Sequence, residues 1–413
     1  MLCAGDHKVN GKNELIRRLS LPLLVFYGIG TILGAGIYVL VGKVAGEAGF
    51  YTPFSFIFAS LLACFSAFSY AELAARFPRS AGEAIYIEEG FAIKKLSIAV
   101  GFMIVLVGVV SVATLAHGFA GYLNIFVKSP QTTVIVVLIL FIGLVCVWGI
   151  AQSVMIASIM TIVEIIGLLI IIYVARDSFS LIPQELPSMM PPFDAGIWAG
   201  IVMGSFIAFY AFLGFEDIVN VAEEAINPSI NIPLAIIISL VITTIFYVLI
   251  STVAILSLSP PELAASDAPL AMLYEKMTGQ APVMITIISL ISVVNGMLIQ
   301  LIMASRVLYG MSRKQWLPEK IGEVNTTTRT PVIATVIITT LILVFSLILP
   351  LLSLAKITSF ITLNIFMLIN FALLKIKFSK RAYAGFSVPI WIPFTGGIST
   401  LLFILYLIFN VIN

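Results

Sequence analysis

Residues 27–42 read YGIGTILGAGIYVLVG, an apolar run punctuated by Gly28, Gly30, Gly34, Gly36 and Gly42. A glycine in a helix interior costs about 1 kcal/mol relative to alanine. Two readings account for so many. Gly30 and Gly34 form the small-xxx-small spacing that lets membrane helices approach closely, or the glycines mark a place where a helix is interrupted.

The surrounding composition puts the segment in a bilayer. Of 413 residues, 61% are hydrophobic and 10% charged, with a mean hydropathy of +1.14, more apolar surface than a soluble core can hide. Crossing a bilayer takes roughly 20 apolar residues, and cutting the chain at its charged and Pro/Gly-rich stretches gives about eleven such spans: 21–45, 53–76, 97–126, 132–150, 153–175, 196–222, 232–258, 282–311, 331–350, 354–376 and 388–411. These runs are continuously apolar and too long for the alternating strands of a barrel. The first reads as a retained helix, since it exceeds a signal-peptide core and lacks a cleavage site.

Net charge of +2 gives no reason to expect nucleic acid. Basic residues instead report orientation. With the N-terminus cytoplasmic, all but Lys43, Lys128, Arg176, Lys276 and Lys356 of the 22 lysines and arginines fall inside, as the positive-inside rule requires. An odd span count then leaves the C-terminus outside a multi-pass protein of the cell membrane. Cys3, Cys64 and Cys146 are scattered, and His7 and His117 are far apart, so no disulfide framework or metal site is expected.

The glycine run gains meaning if it recurs. FYAFLGFEDIVNVAEEAINP, residues 209–228, places Gly214, Glu216 and Asp217 in the middle of span six, one half-chain later. Five spans from each such helix make two halves, the second inverted because five is odd. The division is a 1–20 N-terminal segment, repeats over 21–175 and 176–376, and a loop with an eleventh helix over 377–413. Breaking a helix in hydrocarbon strands backbone groups, so a break survives where it lines a protein-enclosed cavity or binds something. Freed N–H groups at a half-helix start suit a carboxylate, and freed carbonyls suit an ammonium or a small cation. An amino acid carries both charges a few ångströms apart.

Four stretches resemble the amino acid–polyamine–organocation transporter superfamily: GIGTILGAGIYVLVG (28–42), FSYAELAARFPRSAGEAIYIEEGF (68–91), FYAFLGFEDIVNVAEEAINPSINIPLAI (209–236) and SRVLYGMSRKQWLPEKIGEVNTTTRTPVIA (305–334). The resemblance runs over residues from about 20 to about 375. It implies an all-α integral membrane protein with the LeuT-type five-plus-five inverted repeat, with helices one and six discontinuous, and alternating access to a substrate held midway across the membrane. In such proteins first-helix N–H groups hold the substrate carboxylate, here Leu33, Gly34, Ala35 and Gly36, chiefly the last two. Carbonyls that map onto Ile32, Tyr210 and Leu213, beside Gly214, hold the amino group, with Tyr210 as an aromatic lid whose ring adds ~1 kcal/mol over an ammonium. Family members commonly have twelve helices, one more than is counted here.

Glu164 stands in the middle of span five with no other charge within ten residues. An intramembrane acid is a functional candidate. Several superfamily members carry a lysine at the aligned position, so the charge here is inverted. Glu164 could load and release a proton, give an oxygen to sodium, pair with a basic group, or stay protonated on a carbonyl. Glu216, beside the second break, is a second coupling candidate and equally a dipole-stabilising acid. Glu223 and Glu224 read as helix-end or gate contacts that could face Arg76 or Arg79, Asn295, Ser289 and Ser292 as possible lining of a cation site, and His117 as a satisfied buried imidazole.

No P-loop, HExxH or GxSxG is present, so ATP-driven transport and membrane enzymes have nothing to work with, and a filter repeat expected of a channel is missing. The expectation is a secondary transporter that is not an enzyme and needs no cofactor beyond a coupling proton, or sodium. It would move neutral amino acids by symport, with amino acid/amine exchange as the rival.

Overall fold

The computed structural model describes residues 19–79, 82–148, 153–325, 328, 330–379 and 383–412. The basic residues Lys8, Lys12, Arg17, Arg18, Arg329, Lys380 and Arg381, together with Cys3 and His7, lie outside the described residues. The elements are α1 (Leu21–Ala48), α2 (Thr52–Arg76), α3 (Gly82–Phe91), α4 (Lys94–Leu123), α5 (Gln131–Trp148), α6 (Ser153–Val174), α7 (Ile182–Met189), α8 (Ala195–Ala211), α9 (Pro228–Ser257), α10 (Pro260–Ala265), α11 (Pro269–Thr278), α12 (Val283–Arg313), α13 (Val332–Ile348), α14 (Leu351–Phe378) and α15 (Trp391–Ile412).

Each of the eleven expected segments is occupied by helix. Nine apolar stretches among the described residues are long enough to cross a membrane, one of them holding both α1 and α2, and α13 is a shorter apolar helix. The remaining short helices sit between spans, where polar punctuation hides them from a hydropathy reading. Local chemistry accounts for two of them. Ser259 and Glu262 form a capping box ahead of α10. Proline opens α11, and Gly279 closes it at φ 66°.

Enclosure falls from the centre outward. An 18-residue window of the α1–α2 stretch is 88% buried and that of α5 33%, and nearly all of α1 from Tyr27 to Val44 is buried, so α1 lies in the middle and α5 at the rim. Large apolar side chains on outer helices, among them Leu144, Trp148, Leu402 and Phe409, point out of the bundle, as lipid-facing surface does. Each of α1, α2, α4 and α5 packs on an element five spans later, namely α8, α9, α12 and α13. These pairings place the two glycine-marked helices against each other at the core.

Both are interrupted. In α1 the helix is broken at Gly34, whose φ of 2° and ψ of −87° are not helical. Span six is not one helix: α8 ends at Ala211, residues 212–214 turn, and the chain continues as a 3-10 helix over Phe215–Glu224. A 3-10 run of ten residues is unusually long. Glu216 and Asp217 stand in its first turn.

Candidate functional site

Close approach brings the breaks together. A Cβ on Gly36 would stand 2.5 Å from Ala211 Cα and 2.6 Å from its Cβ, so only glycine lets α1 lie this near α8. Gly214 has φ 127°, a backbone conformation reserved for glycine, and a Cβ there would meet the Thr31 carbonyl carbon at 2.8 Å. Close packing and interruption, the two readings of the glycine run, therefore both hold.

The freed carbonyls are met from other helices. Tyr247 on α9 places its hydroxyl 2.5 Å from the Ile32 carbonyl and 2.6 Å from that of Ala211. One hydroxyl has one hydrogen and serves one carbonyl at a time, whereas an ammonium, with three, would satisfy both. Ser292 on α12 donates to the Gly34 carbonyl. Phe212 packs edge-on against the Tyr247 ring at 4.9 Å, holding the phenol between the breaks.

The expected substrate residues fall on both sides of this junction. Ile32 and Leu33 are fully enclosed, and Tyr210 and Leu213 nearly so. Tyr210 carbonyl accepts the Leu213 N–H at 3.2 Å, closing the turn, and its hydroxyl donates to Ser111 carbonyl at 3.2 Å, tying the expected lid to α4. The helix-six carbonyl that shares the Tyr247 hydroxyl with Ile32 is that of Ala211, where the sequence reading named the carbonyls of Tyr210 and Leu213. Tyr247 was missed as well, since one buried tyrosine on a long apolar helix carries no local signal.

Glu164 is fully buried on α6. Asn295 Nδ2 donates to its Oε1 at 2.8 Å and lies 3.4 Å from Thr161 Oγ1, while the Tyr38 hydroxyl donates to the Glu164 carbonyl at 2.8 Å. Ser292 adjoins the same carboxyl. Glu164 Oε2 and Asn295 Oδ1 have no hydrogen-bond partner among the described residues. An acid, three hydroxyls and an amide thus gather beside the break in α1.

At the other break Glu216 accepts the Gly214 N–H at 2.9 Å, capping the 3-10 segment as a helix-start acid does. Asp217 accepts from Gln300 Nε2 at 2.5 Å. Below them the basic end of the bundle is sealed. Leu19 N–H donates to Glu224 carbonyl at 3.0 Å and Ile226 N–H to Leu19 carbonyl at 2.9 Å, and Arg306 pairs with Glu224 at 2.8 Å. The expectation that Glu224 faces Arg76 or Arg79 is corrected: Glu72 holds Arg76 at 2.5 Å, one turn away on the same helix. His117 Nε2 donates to Ser346 carbonyl at 3.0 Å, which leaves Nδ1 to accept from Gln131 at 3.2 Å.

Comparison with known proteins bears on this geometry. Residues 19–413 match the family described as amino acid permease. Branched-chain amino acid permease BcaP of Bacillus subtilis (strain 168) is 29% identical over 97% of this chain and 89% of its own length. Cationic amino acid transporter 4, vacuolar, of Arabidopsis thaliana is 32% identical over 80% of the chain, which spans 58% of that plant protein, and the Methylthioribose transporter of Bacillus subtilis (strain 168) is 28% identical over 77% of this chain and 72% of its own length. All are carriers rather than enzymes. With its broken, carbonyl-presenting helices inside an all-α membrane bundle, the chain belongs to the amino acid permease family of the amino acid–polyamine–organocation superfamily.

Proposed function

We propose that this permease is a proton-coupled symporter of neutral amino acids, working by alternating access between two inverted five-helix repeats, 21–175 and 176–376. Its N-terminus would be cytoplasmic and its C-terminus outside the cell membrane. Neutral substrates fit the 29% identity to a permease named for branched-chain amino acids along nearly the whole chain. The substrate ammonium would take the place of the Tyr247 hydroxyl on the Ile32 and Ala211 carbonyls, and its carboxylate would meet the N–H groups of residues 33–36.

The observation that carries the coupling is the position of Ser292 between Glu164 and Gly34. Its single hydrogen can go to the Glu164 carboxylate or to the Gly34 carbonyl. A charged Glu164 competes for it, while a protonated one leaves it to the break, so proton loading and the set of helix one become one equilibrium. The same oxygens, Gly34 carbonyl, Ser292 Oγ and Glu164 Oε2, are hard ligands that suit sodium, which makes sodium the second reading.

Purified protein in liposomes, given labelled neutral amino acids under an inward pH gradient, a sodium gradient, or internal amino acid alone, tests this. Accumulation is expected under the pH gradient. Glu164→Gln is expected to abolish gradient-driven accumulation while keeping substrate affinity within a few fold. Unchanged accumulation by that variant removes Glu164 from coupling, and accumulation under sodium alone replaces the proton.

A further inference from the structure

Apart from Glu164, three further buried carboxyls gather under the break in helix six. Glu83 on α3 is 1% exposed, Glu216 6% and Asp217 1%, and together with Tyr70 of α2 and Thr362 of α14 they line one water-sized cavity under the break in helix six. Three cations of this end are paired with other acids: Arg76 with Glu72, Arg306 with Glu224 and Lys314 with Glu88. The residues that line the cavity are neutral or acidic. Tyr70 comes from α2, Tyr86 from α3, Ile104 and Val107 from α4, Gln300 from α12 and Phe366 from α14, and Tyr27 of α1 feels the charges of Asp217, Arg306 and Glu224 together.

Three carboxylates cannot stay charged so close together without a cation. Several polar atoms here are also buried without a hydrogen-bond partner among the described residues: the Tyr70 and Tyr86 hydroxyls, Glu83 Oε2, Thr362 Oγ1 and Gln300 Oε1. Native interiors rarely leave so many unsatisfied in one place unless something occupies it. Among the described residues no group of three or more His, Cys, Asp or Glu is spaced to hold a metal ion, and a proton, carried on the carboxyls themselves or by water, neutralises the cluster with the groups present.

We propose that Glu83, Glu216 and Asp217 form a second proton-binding site at the cytoplasmic end of the break in helix six, shared between two elements that separate when that end opens. It rests on the proton-coupled reading above and adds the groups that exchange the proton with the cytosol. While the end is closed, α3 holds Glu83 against the 3-10 segment and the carboxyls share protons. Opening hydrates Glu83; its O–H bond breaks, the proton passes to water, and the bonding pair stays on the carboxylate. Glu83 lies outside the spans on α3, whose far end is held by Lys314 at Glu88 and by Lys375 at the Phe91 carbonyl.

Burial pushes the Glu83 carboxyl from 4.5 up to about 8, its own backbone N–H opposing and the Glu216 charge adding to the rise. The sign follows from linkage. A pKa raised in the closed state means that protonation favours closure: the contribution is complete below about 4.5, declines as pH rises, and is gone above about 8.

Liposomes containing the full chain decide the matter, with pH-driven accumulation and exchange of labelled for unlabelled substrate read side by side at pH 5 to 9. Glu83→Gln, which mimics the protonated acid, is expected to lose at least ten-fold in accumulation and to exchange at a rate that no longer varies with pH across the window. Glu83→Asp should restore the pH dependence. Asp217→Asn, expected to flatten the same profile, decides the question if the glutamine variant does not fold. A wild-type pH profile in either variant overturns this site while leaving proton symport intact, whereas a wild-type protein that does not respond to a pH gradient overturns the symport reading and this site with it.

Discussion

The interruption in helix one and the interruption in helix six use the same device and obtain their charge from opposite places. At Gly34 the local sequence is uncharged, and the acid, Glu164, comes from α6, steered by Asn295 and Ser292 of α12. Between Ala211 and Glu224 the chain supplies its own acids, Glu216 and Asp217, within three residues of the turning glycine. A break charged from a distance responds to how three helices are arranged. One charged in line keeps its acid through any rearrangement and changes only what faces it, as Glu83 does.

This contrast is broken most severely at the turning glycine. Gly214→Ala forces a side chain into φ 127° and against the Thr31 backbone, and backbone does not yield. Strain and overpacking together are expected to cost about 3–5 kcal/mol, seen as a large fall in melting temperature and in the yield of monodisperse protein. If Gly214→Ala melts like the wild type, helix six does not turn in this way.

Tyr247→Phe touches both breaks at once and comes next. Removing the hydroxyl leaves the Ile32 and Ala211 carbonyls buried with no donor, at a cost of about 1–3 kcal/mol. Because a bound ammonium would supply the missing hydrogens, substrate should raise the melting temperature of the variant more than that of the wild type. Equal substrate shifts in the two proteins would separate Tyr247 from the ammonium position.

Glycine patterning and hydropathy made the helices and the places where two of them break legible, because both signals are local. Glu216 was legible as a helix-start acid for the same reason, since it stands two residues after a glycine in an apolar run. Its partners were not. Asp217 was seen only as an intramembrane acid, and Glu83, more than 130 positions earlier, reaches it only through the packing of α3, which no hydropathy reading places. Tyr247 stands on one of many faces of an apolar helix, and in a membrane apolarity does not tell an inward face from an outward one. The Glu72–Arg76 pair was readable from its i,i+4 spacing, and reading it would have freed Glu224 for Arg306.

The finest test of the contrast is Ser292→Ala, since it removes the one hydrogen shared between the distant acid and the break in helix one. Losing this bond to the Gly34 carbonyl should cost about 1 kcal/mol, a shift in melting temperature of a few degrees at most. The larger consequence lies in coupling. Without a hydroxyl to redistribute, the protonation of Glu164 no longer bears on the Gly34 carbonyl, so pH-driven accumulation should fall while exchange continues. Helix six has no such intermediary, because Glu216 binds the Gly214 N–H directly. The pH dependence assigned to Glu83 should therefore persist in Ser292→Ala, and a variant that loses both dependences together would mean that the two breaks work as a single unit.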